Sequence, residues 1–222
     1  MIVLGIDTST HILTAGLAGD NGLNANQHMS GETIHSEELP GMVQRVLSGS
    51  SIAPGDLDGI AVSMGPGSFT GLRIGLGFAK GMALGLDVPL LPVPTMDGLA
   101  AGVSMEESML CILLKARKGE VYQGLYRSGE DGWHREGDIA TVPESHLGKA
   151  LPDERIVFAG PGAVLYQTLL KERLGGRAIF VPELVPSGFR IAEIGLGVLA
   201  AGHYPDVNAL VPMYIKRFRG VA

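Results

Sequence analysis

The chain is predicted to be an α/β protein with two similar lobes, and three observations support that class. Strand-like apolar segments alternate with helical patterns along all 222 residues. Residues 113–125 repeat the strand, turn and strand pattern of residues 5–17, and both segments end in Gly-Leu. Hydrophobic residues make up 45% of the chain, enough for a large core. We expect one lobe in residues 1–100 and another in residues 101–222.

The first lobe is predicted to have the order βββαβαβ. Its polar turn after the first strand contains Asp7, and the Gly-Asp-Asn-Gly sequence at residues 19–22 is typical of a hairpin. A helix with an apolar face begins at Thr33 or Ser36 and ends near Ser48, and a glycine-rich helix follows the next strand. The expected strands are residues 2–6, 12–18, 23–29, 60–64 and 88–93.

The second lobe is predicted to open with the same three strands. A buried strand at residues 156–159 then leads into a Gly-Pro-Gly corner, as the fourth strand of the first lobe leads into Gly65-Pro66-Gly67. We expect a hinge near residues 95–108 and a basic tail at residues 216–219. The remaining elements are a helix at residues 163–174, a strand at 178–181 and a helix at 191–204.

Charge and cysteine content exclude several classes of protein. The formal net charge of −6 argues against a stand-alone nucleic-acid binder, because phosphate contacts require clustered cations. Cys111 is the only cysteine and cannot form an internal disulfide, which indicates a reducing cytoplasm. The N-terminus has no signal-peptide pattern, and no apolar run approaches the length of about 20 residues that spans a bilayer. We expect no membrane contact.

Residues 65–86 form the most unusual stretch, a glycine-rich turn that continues into a helix with glycines of its own. Ser68 or Thr70 is predicted to cap this helix. Gly77, Gly81 and Gly85 recur every fourth residue, and each costs about 1 kcal/mol relative to alanine. Three interpretations are open: the helix packs closely on its own sheet, it docks a partner protein, or it follows a phosphate-binding loop. The spacing matches neither the Walker motif nor the dinucleotide fingerprint, which weighs against the phosphate loop.

A duplicated lobe with an Asp-Thr-Ser turn resembles the ATPase fold of actin, hexokinase and Hsp70, which is related to ribonuclease H. In that fold each lobe usually supplies an aspartate that grips the nucleotide phosphates and Mg²⁺. Lys115 stands opposite Asp7 here, so we do not expect autonomous ATP hydrolysis. Asp7 can equally bond its own backbone in the turn. A remnant nucleotide site would comprise Asp7, Thr8, Ser9, Lys115, Gly160 and Gly162.

No metal site, cofactor site or catalytic residue is predicted from the remaining side chains. No two of the six histidines stand three or four residues apart, so none form a ligand pair on one helical face. His35 is assigned to the entry of the first helix, and Cys111, inside a predicted strand, to the core.

Several motifs resemble the TsaB (YeaZ) family along the whole chain. They are Ile6-Asp7-Thr8-Ser9, His35-Ser36-Glu37, the glycine-rich motif at residues 65–75, Lys118-Gly119-Glu120-Val121-Tyr122 and Pro212-Met213-Tyr214-Ile215-Lys216. The resemblance implies a bacterial subunit of the complex that adds a threonylcarbamoyl group to the adenosine beside the anticodon of certain tRNAs. Its implied partners are the catalytic paralogue TsaD and the ATPase TsaE, with tRNA bound only within the complex. TsaD holds a metal with a His-x-x-x-His pair that this chain lacks, and glycoprotease activity is not expected.

The same resemblance implies that both helices of the first lobe dock on the matching helices of TsaD, or of a second copy in a homodimer. Small residues at every fourth position allow helices to approach closely. The predicted surface consists of Leu39, Met42, Val43, Val46, Ile74, Gly77, Phe78, Gly81, Met82 and Gly85.

The sequence therefore predicts a non-catalytic scaffold that activates a tRNA-modifying partner. The alternative is a nucleotide-binding ATPase or kinase-like enzyme of the same fold. A nuclease of the ribonuclease H type has less support, because it needs several carboxylates at adjacent strand ends and only Asp7 is so placed. The basic tail is interpreted as a solvated terminus or as a contact with tRNA.

Overall fold

The computed structural model describes residues 1–31, 34–104, 107–181, 183–213 and 215. Thr33 and the basic tail at residues 216–219 lie outside them. The described chain divides into two compact units, one formed by Met1–Gly98 with Pro186–Met213 and the other by Leu99–Val185. Each unit contains one five-stranded mixed sheet. The predicted α/β class with two similar lobes is confirmed.

The first sheet has the strand order β3-β2-β1-β4-β5. The first three strands form an antiparallel meander, and β1 pairs with β4 in parallel, with Ile6 opposite Val62. Residues 3–7 of β1 and all of β4 are buried, as expected for strands covered on both faces. The strands are β1 (Ile2–Asp7), β2 (Ile12–Gly19), β3 (Asn24–Ser30), β4 (Gly59–Ser63) and β5 (Leu90–Val93).

Two long helices contribute to the main core of the first unit, α1 (Ile34–Gly49) and α2 (Phe69–Leu86). The Ser68 hydroxyl accepts from the Gly71 N–H and caps α2, as predicted. Leu39 and Met42 of α1 and Leu76 and Ala79 of α2 join sheet residues in this core. A short helix α3 (Thr95–Ala100) follows β5.

The last helix, α6 (Gly188–Ala201), packs on the first sheet, against a separate cluster that includes Val3, Ala61 and Leu91. The prediction assigned this helix to the second lobe, so residues 186–213 differ from the expected division at residue 100. Close approach explains the packing, since a Cβ at Gly188 would lie 2.3 Å from the Gly16 backbone nitrogen. Sequence order alone does not reveal such a return of the chain.

The second sheet reads β8-β7-β6-β9-β10, the same order as β3-β2-β1-β4-β5. The helix predicted at residues 163–174 is divided at Tyr166 into two shorter helices. The core of the second unit includes Leu113, Phe158 and Leu170. The elements are β6 (Met109–Lys115), β7 (Glu120–Gly129), β8 (Gly132–Pro143), β9 (Ile156–Ala159), α4 (Pro161–Leu165), α5 (Gln167–Leu174) and β10 (Ala178–Phe180).

Candidate functional site

Asp7 ends β1 and lies beside Ser63, which ends the parallel strand β4. The carboxyl ends of parallel strands are the usual position for ligands in open α/β sheets. Both residues are buried, with 1% and 0% of their surface exposed. The Ser9 N–H donates to Asp7 Oδ1 at 2.7 Å, so the turn bonds its own backbone.

Burial raises the pKa of the Asp7 carboxyl above its ordinary value of 3.8. Hydrogen-bonding groups of Ser9 and Ser63 and the nearby His35 ring oppose this rise. Desolvation dominates because it penalises the charged form of a carboxyl held away from water. Asp7 therefore takes up a proton more readily than an exposed aspartate.

The three residues that influence this pKa each carry a buried polar atom without a hydrogen-bond partner in the described part of the chain. They are Ser9 Oγ, Ser63 Oγ and His35 Nε2. His35, placed by the sequence at a helix entry, is the second residue of α1 and 9% exposed. Ser63 was missed because a serine ending an apolar strand has no distinguishing pattern.

The glycine-rich corner covers the Asp7 turn. The Ser68 N–H donates to the Ser9 carbonyl at 2.7 Å, and the Thr8 hydroxyl donates to the Gly71 carbonyl at 2.8 Å. A Cβ at Gly67 would lie 2.4 Å from the Ser9 carbonyl oxygen, and one at Gly71 would lie 2.0 Å from the Thr8 carbonyl oxygen. These glycines are needed for close approach, and together they leave Asp7, Thr8 and Ser9 at most 2% exposed.

Thr95 holds the other side of the corner. Its hydroxyl accepts from the Gly65 N–H at 3.1 Å, and its own N–H donates to the Gly65 carbonyl at 2.9 Å. Thr95 has no local signal in the sequence, because the contact joins residues 30 positions apart. The corner is thus attached both to the Asp7 turn and to the first residue of α3, as a structural element between them.

The remaining residues of the predicted remnant site belong to the second unit. Lys115 ends β6 and is exposed. Gly160 precedes α4 with a φ of 90°, and a Cβ at Gly162 would lie 2.8 Å from the Leu113 carbonyl. Both glycines therefore serve the packing of α4 on β6.

Helix α2 has two kinds of glycine on different faces. Gly71 and Gly75 are buried against Thr8, and a Cβ at Gly75 would lie 2.2 Å from the Thr8 hydroxyl. Gly77, Gly81 and Gly85 are exposed, and a Cβ at any of them would meet no atom within 4 Å among the described residues. The predicted residues Ile74, Phe78 and Met82 are half-buried beside them.

The predicted α1 residues do not belong to this exposed face. Leu39, Met42, Val43 and Val46 are 1–3% exposed and lie in the core of the first unit. The structure therefore places these four residues in the core and not on an exposed surface. An apolar stripe at helical spacing indicates that a face is covered, but it does not distinguish a sheet from a partner.

Two exposed apolar residues of α2 were missed. Phe69 is 42% exposed, with the Arg73 guanidinium 3.8 Å from its ring centre, and Leu84 is 60% exposed. They lie near opposite ends of the helix. We define the α2 face as Phe69, Gly77, Gly81, Leu84 and Gly85.

Other chemical groups are sparse. Within the described residues, no cluster of three or more His, Cys, Asp or Glu side chains is placed to hold a metal ion. The described helices include none that is both long and apolar enough to cross a membrane. Cys111 is buried inside β6, and burial raises the pKa of its thiol.

Comparisons with known proteins agree on one family. A family model described as TsaD, tRNA N6-adenosine threonylcarbamoyltransferase, matches residues 31–160. The Escherichia coli K12 tRNA threonylcarbamoyladenosine biosynthesis protein TsaB is 37% identical, with 97% of this chain and 95% of the relative covered. TsaB of Bacillus subtilis is 30% identical, with 97% and 94% covered.

Solved structures agree with these sequence relatives. YeaZ from Pseudomonas aeruginosa superposes with a TM-score of 0.84 at 27% identity and covers 96% of this chain and 99% of its own. The ethanolamine utilization protein EutJ from Carboxydothermus hydrogenoformans has a TM-score of 0.52 at 10% identity, over 88% of this chain and 90% of its own. The second similarity shows the fold alone.

Proposed function

The chain belongs to the TsaB (YeaZ) family of tRNA threonylcarbamoyladenosine biosynthesis proteins, and from that membership we propose that it is a non-catalytic subunit that docks on TsaD. In this proposal it activates TsaD for threonylcarbamoyl transfer to the adenosine beside the anticodon. TsaE is the ATPase of the assembly, tRNA binds only to the complex, and the complex works in the cytoplasm.

The observation that carries the proposal is the α2 face. Its three glycines each cost about 1 kcal/mol of helix propensity relative to alanine. Close approach explains Gly71 and Gly75, whereas Gly77, Gly81 and Gly85 face open space in the described part of the chain. A partner helix that packs against this face accounts for glycine at all three positions, with Phe69 and Leu84 as apolar contacts.

The choice of TsaD as the occupant rests on the similarity between the two proteins. The TsaD family model matches residues 31–160 of this chain, a segment that includes α2. A related chain carries a corresponding helix, so two such helices can meet in a nearly symmetric contact. A second copy of this chain offers the same helix and is the competing occupant.

The covered Asp7 turn supports a non-catalytic role over the nucleotide-binding alternative. A phosphate-binding turn has to be accessible to its ligand, whereas Asp7, Thr8 and Ser9 are at most 2% exposed beneath the glycine-rich corner.

Substitution of Gly81 by Glu tests the docking surface. A buried, unpaired carboxylate at a helix contact costs about 3–5 kcal/mol, so affinity for TsaD should fall by more than about 100-fold. The measurement is co-purification with tagged TsaD, followed by titration calorimetry.

Gly197→Glu is the matched control. Gly197 is also exposed, lies inside helix α6 and would present its Cβ to open space. Glutamate is a better helix former than glycine, so both variants should stay folded. Retention of TsaD by Gly81→Glu at the wild-type yield overturns the docking proposal. Loss of a homodimer with TsaD binding intact assigns the face to a second copy.

A further inference from the structure

The turn between β6 and β7 concentrates positive charge in an acidic protein. Lys115, Arg117 and Lys118 place three of the 17 lysines and arginines within four residues, although the net charge is −6. All three side chains are exposed. We define residues 115–119 as the basic turn.

The backbone of the basic turn is held in place by hydrogen bonds. The Ala116 N–H donates to the Glu120 carbonyl at 3.3 Å, and the Glu120 N–H donates to the Arg117 carbonyl at 3.0 Å. The Gly119 carbonyl accepts from the Glu144 N–H at 3.0 Å, and Gly119 has a φ of 80° that favours glycine. The three cations are therefore presented from a defined backbone at one end of the second sheet.

The cations of the basic turn differ from three arginines of the same unit. Arg127, Arg155 and Arg177 each lie within 3.2 Å of a carboxylate oxygen. Lys115, Arg117 and Lys118 form no ion pair with a described residue. Two carboxylates are near in the chain, the half-buried Glu120 and Glu144, which accepts from the Tyr166 hydroxyl. The three exposed cations therefore outnumber these two carboxylates, and the turn carries an excess of positive charge.

From these observations we infer that the basic turn binds the phosphate backbone of RNA, which for a subunit of a tRNA-modifying complex is the tRNA itself. The inference rests on the proposed function for the identity of the RNA. An open turn with exposed cations suits successive phosphates of a polyanion, because each neutralised phosphate releases counterions. A Cβ at Gly119 would meet no described atom within 4 Å, so this position leaves room for an extended ligand.

The experiment compares tRNA affinity across a range of salt for the complex that contains this chain, by fluorescence anisotropy. The triple variant Lys115→Gln, Arg117→Gln and Lys118→Gln removes three phosphate contacts. The slope of log affinity against log salt should become shallower by about 2–3, and affinity should fall at least about tenfold near 100 mM salt. The triple variant should retain TsaD at the wild-type yield.

A second triple variant removes the same charge at other positions, with Arg155→Gln, Lys171→Gln and Arg177→Gln. Arg155 and Arg177 precede β9 and β10, which run in the same direction as β6. They therefore lie at the opposite end of the sheet from Lys115, the last residue of β6. This control should keep the wild-type salt slope, because a general charge effect would change both variants equally.

Several outcomes overturn the inference. One is an unchanged affinity and salt slope in the basic-turn variant, and another is an equal change in the control. If Mg·ATP displaces tRNA from the turn at equal phosphate concentration, the basic turn is a nucleotide site. If the basic-turn variant no longer binds TsaD, the turn is a contact with a protein partner. If the wild-type chain fails to bind TsaD, the proposed function fails, and the same variants are then compared on the chain alone near 50 mM salt.

Discussion

The two units place turns of opposite character at the same topological position. Each turn joins the first two strands of a sheet with the same strand order. In the first unit it contains Asp7, Thr8 and Ser9, all buried, and in the second Lys115, Arg117 and Lys118, all exposed. A duplicated backbone therefore does not require a duplicated site.

The helix that follows the fourth strand of each sheet explains the difference. The 18-residue α2 begins on the Asp7 turn, and its Gly71 carbonyl accepts from the Thr8 hydroxyl. The five-residue α4 instead places Gly162 against Leu113, two residues before the basic turn begins, where a Cβ would lie 2.8 Å from the carbonyl. The helix glycine thus contacts the turn itself in the first unit and the strand before the turn in the second.

The largest expected effect comes from Gly71→Ala, which breaks the cover over Asp7. The new Cβ would lie 2.0 Å from the Thr8 carbonyl oxygen, so the helix must move and the Thr8 hydrogen bond is lost. The free energy of unfolding should fall by about 3 kcal/mol, measured by urea denaturation. A loss below about 1 kcal/mol contradicts close packing at this position.

A smaller effect is expected for the pH dependence of Asp7→Asn. Because burial raises the pKa of Asp7, the folded state binds its proton more tightly than the unfolded state. The stability that this group contributes is complete below its ordinary pKa of 3.8 and is lost as pH rises through the raised pKa. The free energy of unfolding of the wild type should therefore rise relative to the variant as pH falls from neutrality.

Urea denaturation of both proteins at several pH values measures this difference. A constant difference between them across the pH range contradicts a raised pKa.

The smallest effect, and one of opposite sign to that of Gly71→Ala, is expected for Gly77→Ala. The new methyl group would meet no atom within 4 Å of the described chain. Alanine is a better helix former, so the free energy of unfolding should rise by up to about 1 kcal/mol. A destabilised variant in the same urea experiment would show that Gly77 is packed within the chain.

Local sequence patterns were sufficient for much of this fold. The alternation of apolar segments predicted both meanders, and the Gly-Pro-Gly corners marked the ends of β4 and β9. The Asp-Thr-Ser turn was recognised because an aspartate that bonds its own backbone has a local signature. The pairing of residues 5–17 with 113–125 also identified the second sheet, since equal strand order follows from equal element order.

Other features depended on contacts between distant residues. The apolar face of α1 was assigned to a partner, whereas the sheet of its own unit covers it. Residues 186–213 return to the first unit because Gly16 and Gly188 allow two backbones to meet. The glycines of α2 look alike in sequence, yet two are buried against Thr8 and three face open space.

These outcomes separate two levels of information in the chain. The order of strands and helices follows from hydrophobic period and turn chemistry, which act over a few residues. The burial of Asp7, the covering of α1 and the exposure of the α2 face and the basic turn arise only when segments far apart in the chain pack together. Long-range packing therefore decided which glycines lie in close contacts and which lie on the surface.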